Sequence, residues 1–260
     1  MDATRAAVLM LPGLLCDHTI WQAQADGLAD IADVTIADFA ELDDLSDMAR
    51  AALEQVADDS SGRPLDVVGH SMGGRVAFEV WRLAPDRVRS LVVLDTGCHP
   101  VGPAESDSRQ VLLGVSANQG MVALADAWLP PMVHPDRRDD PTIMAPLTEM
   151  VMRATPELHA RQIRALLGRP DATPLLASIT VPTLVVVGRQ DEWSPVGQHE
   201  TIAAAIPDAR LAIVDQSGHM VFASIAVPSW MLAILSFVVL LLTIAIQAIA
   251  RRARTPHRRS

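Results

Sequence analysis

A serine held between two glycines, in Gly69-His70-Ser71-Met72-Gly73, is the first place where this sequence combines residue types that could do chemistry. A serine hydroxyl is a weak nucleophile at neutral pH, so acyl chemistry at Ser71 needs a histidine base and a carboxylate that orients the histidine and stabilises its protonated form. Asp191 in "GRQDEWSP" and His219 in "SGHM" supply both, and the three follow one another in the order Ser71, Asp191, His219. Asp95, closing the run "LVVLD", is an alternative acid. Asp191 is preferred because its loop carries Gly188-x-x-Asp191, whereas Asp95 suits a capping or bracing role at a turn. His70 reads as a residue packed or hydrogen-bonded beneath the serine turn. His18, His99, His134, His159 and His199 show no paired metal-ligand spacing, so neither a metal site nor a cofactor is expected.

These side chains need elements to position them. Apolar runs without alternation recur at 6–11, 32–37, 65–69, 88–95, 182–188 and 209–215, the pattern of strands covered on both faces. Amphipathic stretches between them, such as "LSDMARAALEQVA" (45–57) and "GGRVAFEVWRLA" (73–84), read as helices, so the fold class is α/β with a mostly parallel sheet wrapped by helices. Ser71 then stands between a strand and a helix, the context in which G-x-S-x-G forms a nucleophile elbow, and Asp191 and His219 each follow a strand. The alternation lapses between about residues 104 and 178, where only helical segments punctuated by prolines occur, and an all-helical insertion over the sheet is expected there.

With the elbow "GHSMGG", the acid loop "GRQDEWSP" and the "SGHM" loop in place, residues 6–223 resemble the α/β-hydrolase superfamily, in its small bacterial branch with a helical lid. The resemblance implies a Ser-His-Asp hydrolase of esters, thioesters or similar acyl bonds. It also implies an oxyanion hole built from the backbone N–H groups of Leu14, after the first strand, and Met72, after the nucleophile. Where many relatives carry His-Gly in the first of these loops, this chain has Pro12-Gly13. Trp21 and Trp193, flanking the oxyanion and acid loops, and Trp128 in the insertion are candidate walls for a small acyl substrate. Met132, Met144, Met150 and Met152 either line an apolar acyl pocket or pack the insertion onto the core. The same scaffold admits carbon–carbon bond hydrolysis or cofactor-free haloperoxidation, and a non-catalytic binding protein is the remaining alternative.

Charge excludes one class of function. The 260 residues carry a net charge of −10, all 31 acidic residues precede Arg251, and five of the 21 arginines lie in Arg251–Arg259, so nucleic-acid binding through a basic face is not expected. Cys16 and Cys98 read as reduced thiols. The first residues read as a strand ending at Pro12-Gly13 rather than an export signal. Between Trp230 and Ala250 lie 21 residues without a charge, about 31 Å long as a helix and long enough to cross a bilayer. The expected organisation is therefore a hydrolase domain over 1–224, a transmembrane helix over 225–250 and a basic tail over 251–260. The expected localisation is the membrane, with the catalytic domain on the cytoplasmic face.

Overall fold

The computed structural model describes residues 5–39, 41–56 and 62–221. Among these residues six strands form one sheet: β1 (Ala6–Leu11), β2 (Ala32–Ile36), β3 (Leu65–His70), β4 (Val88–Leu94), β5 (Thr183–Gly188) and β6 (Arg210–Val214). Their order is β2-β1-β3-β4-β5-β6 and every pairing is parallel. Each strand is five to seven residues long and lies within two residues of its apolar run. β3 is buried throughout and β4 almost so, whereas β2 and β6 at the two edges are only partly covered. A continuous apolar run therefore marks the sheet centre, where both faces are packed.

The chain leaves β1 for β2 on one side, then returns to place β3 on the other side of β1. That reversal opens a crevice beyond the carboxyl ends of β1 and β3, the position at which open parallel sheets bind ligands. Around the sheet run α1 (Gln22–Leu28), α2 (Leu45–Gln55), α3 (Met72–Leu83) and α7 (Val196–Ala205). α2 begins at Asp44, whose side chain accepts the N–H groups of Ser46 and Asp47 and so satisfies two of the donors a helix start leaves open. α3 ends where Pro85 follows Ala84, because proline disfavours helical geometry in the residue before it.

Between β4 and β5 the described residues form no strand, only α4 (Glu105–Trp128), α5 (Pro141–Arg153) and α6 (Pro156–Leu167) with short 3-10 turns. α4 is broken at Gly120, whose φ of 84° and ψ of 179° depart from helical geometry, so it is two helices in line. α5 and α6 start at Asp140 and Thr155, each accepting a backbone N–H, with proline at the first helical position.

By its contacts the chain divides into residues 1–224 and 225–260. The expectation of a membrane span, and with it of a membrane localisation, is corrected. Among the described residues no helix is long and apolar enough to cross a membrane. The longest, α4, carries Glu105, Asp107, Arg109 and Asp126 and is interrupted at Gly120. The expected span over 225–250 and the basic tail over 251–260 lie outside the described residues. The fold class stands as α/β with a parallel sheet and a helical insertion, without a spanning helix among the described residues.

Candidate active site

Ser71 sits at the junction of β3 and α3 with φ 53° and ψ −113°, a strained conformation for a residue with a side chain. The glycines around it are there for contact. A Cβ on Gly69 would fall 2.3 Å from the Gly73 carbonyl oxygen, and one on Gly73 only 2.1 Å from the Leu11 carbonyl oxygen. Side chains at either place would force the strand-to-helix turn open. The turn is fixed from below by two bonds: the Ser71 N–H donates to the Leu94 carbonyl at 2.9 Å, and the Thr96 hydroxyl donates to the Ser71 carbonyl at 2.7 Å. Thr96 is held in turn by His199, whose Nε2 accepts the Thr96 N–H at 2.8 Å while its Nδ1–H donates to the Pro195 carbonyl at 3.3 Å. Burial pushes the His199 pKa down to about 4, so the ring stays neutral and keeps this donor–acceptor polarity.

Three residues from distant parts of the chain meet here. His219 Nε2 lies 2.8 Å from Ser71 Oγ, and His219 Nδ1 lies 2.9 Å from Asp191 Oδ2. Asp191 is buried, which raises its pKa, yet His219 together with Ser194 more than offsets this and holds the carboxyl below the usual carboxylate range. Its Oδ1 accepts the N–H groups of Trp193 and Ser194 at 2.8 and 2.9 Å, and its Oδ2 also accepts the Ser194 hydroxyl at 2.8 Å. Ser194 was not read from the sequence. The signal was there in "DEWS", an aspartate whose side chain can bond the backbone two and three residues on.

The loops carrying the acid and the histidine approach each other closely. A Cβ on Gly188 would lie 2.2 Å from the Gly218 carbonyl oxygen, which accounts for the glycine at the head of Gly188-x-x-Asp191. Asp95, the alternative acid, is fully buried close to Asp191 but bonded to backbone instead: Oδ1 accepts the Gly188 N–H at 2.9 Å and Oδ2 the Val221 N–H at 3.3 Å. It ties the acid loop to the residues after His219. Burial and the neighbouring Asp191 charge push its pKa well up, so its environment does not favour an orienting carboxylate. His70 also braces: its Nε2–H donates to the His219 carbonyl at 2.9 Å, and burial with the nearby His219 pushes its pKa down to about 3.

Ser71 and His219 open onto a cavity of about 420 Å³ whose walls include Leu14, Met72, Trp128, Met132 and Trp193. Of the three tryptophans proposed as walls, Trp128 and Trp193 line it. Trp21 is 1% exposed and packs in the core instead, its closeness in sequence to the first loop not matched by facing the cavity. Met144, Met150 and Met152 do not line it either; Met150 is buried and Met152 exposed. The insertion also reaches the first loop directly. Gln162 on α6 accepts the buried Leu15 N–H at 2.8 Å, and Leu15 itself has a positive φ of 58°. On the other side, the Met132 carbonyl accepts the Met220 N–H at 2.9 Å, next to His219.

The chain belongs to the alpha/beta hydrolase family, whose model matches residues 8–227. It is 28% identical over 163 residues to a protein provisionally named carbamate hydrolase RutD from Stutzerimonas stutzeri, a match covering 58% of each chain. To the pimeloyl acyl-carrier protein methyl ester esterase of Nitrosomonas europaea it is 27% identical over 230 residues, 84% of this chain and 90% of that one. Among solved structures, a thermophilic esterase from Thermogutta terrifontis superposes with a TM-score of 0.79 at 27% identity, covering 97% of this chain and 92% of the other.

Proposed function

We propose that the protein is a serine hydrolase that cleaves carboxylic esters or similar acyl bonds of small molecules. The observation that carries this is the unbroken hydrogen-bond chain from Asp191 through His219 to Ser71, opening on a cavity. Ser71 Oγ attacks the acyl carbonyl as His219 Nε2 takes its proton, and the same proton then goes to the departing alcohol or thiol. Water, deprotonated by His219, attacks the acyl-enzyme and releases the acid and free Ser71. Asp191, ionised and doubly bonded to Ser194, keeps Nδ1–H of His219 turned toward itself and stabilises the imidazolium that forms.

The N–H groups of Leu14 and Met72 are assigned to the oxyanion. Both residues flank Ser71 at the cavity, Met72 at the start of α3, where the helix leaves donors open and its dipole favours negative charge. Pro12-Gly13 in place of His-Gly leaves these backbone donors intact. The esterase names of the relatives from Nitrosomonas europaea and Thermogutta terrifontis support an ester as the bond cleaved. A fluorophosphonate probe tests the assignment: the purified protein is expected to be labelled, and Ser71→Ala to be unlabelled. Equal labelling of a folded Ser71→Ala variant would remove Ser71 as the nucleophile.

A further inference from the structure

The wall of the cavity beside Ser71 holds arginines that differ in how they are paired. Glu105, at the start of α4, is engaged by two arginines: Arg109 Nη2 at 2.7 Å, and Arg169 with Nη1 and Nη2 at 2.6 and 2.5 Å. Arg169 is nearly fully buried and spends its remaining donors on the carbonyls of His99, Leu166 and Pro100. A third guanidinium, Arg75, lines the cavity with Ser71 but has no carboxylate within ion-pair distance among the described residues. One bond holds it, from Nη1 to the His99 carbonyl at 3.0 Å. This occurs in a chain whose net charge is −10, where an arginine has many acidic groups to choose from.

The surroundings keep Arg75 turned to the cavity. It lies one helical turn beyond Ser71 on α3, and side chains on a helix lean back toward its start, here toward the nucleophile. Gly97 keeps the space beside the guanidinium clear, since a Cβ there would come within 2.8 Å of Arg75 Nη2 and 2.9 Å of Gln198 Oε1. Burial first, and then the charge of Arg169, push the Arg75 pKa down to about 9 against the partial relief given by Glu105. The group is still a cation at neutral pH, with no carboxylate at ion-pair distance among the described residues. Asp95 also lines the cavity, but both of its oxygens are taken by the Gly188 and Val221 N–H groups. In the same wall is Trp128, whose buried indole N–H has no acceptor among the described residues.

We propose that the substrate of this site carries an ionised carboxylate in addition to its ester, and that Arg75 pairs with that carboxylate while Ser71 attacks the ester carbonyl. The proposal rests on the serine-hydrolase reading above. Hydrolysis of such a half-ester adds one water, releases the alcohol and leaves a dicarboxylate. A charge-assisted, two-pronged guanidinium–carboxylate contact in a partly desolvated site is worth about 10- to 100-fold in affinity.

The test compares monomethyl glutarate with methyl pentanoate, a neutral ester of similar length, and follows glutarate binding by quenching of tryptophan fluorescence, to which Trp128 and Trp193 in the cavity wall would respond. The wild-type protein is expected to prefer the anionic ester by at least tenfold in kcat/KM. Arg75→Gln is expected to reduce that preference at least tenfold, Arg75→Lys to keep part of it, and glutarate binding to weaken in Arg75→Gln but persist in Ser71→Ala. Turnover of both esters with no preference in the wild type overturns the carboxylate proposal and leaves the serine hydrolase standing, without needing any variant to fold. Equal loss on both esters in Arg75→Gln also overturns it, since that is what a structural role predicts. Arg75-dependent glutarate binding without Ser71-dependent turnover of either ester supports the anion site while removing the nucleophile assignment. Neither turnover nor Arg75-dependent binding overturns both.

Discussion

Replacing Gly73 by alanine adds one methyl group at the tightest point of the site. The new Cβ would stand 2.1 Å from the Leu11 carbonyl oxygen, 2.5 Å from its carbon and 2.6 Å from the Pro12 carbonyl oxygen, all backbone atoms that cannot swing aside. Restoring ordinary contact at about 3.4 Å means opening the gap between α3 and the end of β1 by about 1.3 Å. Leu14 is three residues beyond Leu11 and Met72 adjoins Gly73, so the two assigned oxyanion donors lie on the two parts that are pushed apart. A displacement of this size at a catalytic centre costs about 100-fold in rate, and the overpacking costs about 1–3 kcal/mol of stability. The assay is kcat and KM on a short-chain p-nitrophenyl ester, with thermal unfolding measured on the same samples. Gly197→Ala serves as the control, because that glycine lies exposed in α7 with nothing within 4 Å of its would-be Cβ, and alanine there is expected to be neutral or to stabilise by about 0.5–1 kcal/mol. Gly73→Ala with kcat within threefold of the wild type would refute the reasoning, because the oxyanion geometry would then not depend on that approach.

Two further outcomes follow from the geometry. Asp191→Asn should lower kcat by roughly a thousandfold or more while the fold persists, whereas Asp95→Asn should act mainly on stability, costing about 1–3 kcal/mol by turning an amide N–H toward a backbone N–H; reversed results in kinetics and denaturant unfolding would make Asp95 the orienting acid. Stability should also fall on acidification from pH 7 to 5. His70, His159 and His199 have folded-state pKa values of about 3, 4 and 4, below the ordinary histidine value, so their contribution is present above about pH 6.5 and is lost as the unfolded chain takes up protons the native state refuses. Asp95, shifted up, opposes this by as much as one proton, leaving a slope of about 2–3 kcal/mol per pH unit near pH 5.5. Urea unfolding at pH 7.5, 6.5 and 5.5 measures it, and a flat profile would refute the neutral buried histidines.

What could be read from sequence were features written in neighbouring residues. Mostly apolar runs without alternation, such as "LDVVGH" and "TLVVVG", became interior strands because a run with no polar face suits a sheet covered on both faces. The elbow was legible because glycines at fixed offsets from a serine have a steric cause, and the positions of Asp191 and His219 because each follows a strand, β5 and the edge strand β6. Long-range pairings left no such trace. Glu105 meets Arg169 across 64 positions and Leu15 meets Gln162 across 147. Trp21 was misjudged for the same reason, since nearness to a loop in sequence does not tell which way a side chain faces.

The bond from Leu15 to Gln162 has a thermodynamic consequence. The first loop, with its positive-φ Leu15, is clamped by a side chain from the helical insertion, so the roof over the cavity and the frame proposed for the developing oxyanion share a free energy. Any occupant that steadies the insertion steadies that frame by the same amount, and by reciprocity a ligand mimicking the oxyanion tightens the roof. Grip on the substrate and readiness for its reaction then become two measures of one equilibrium.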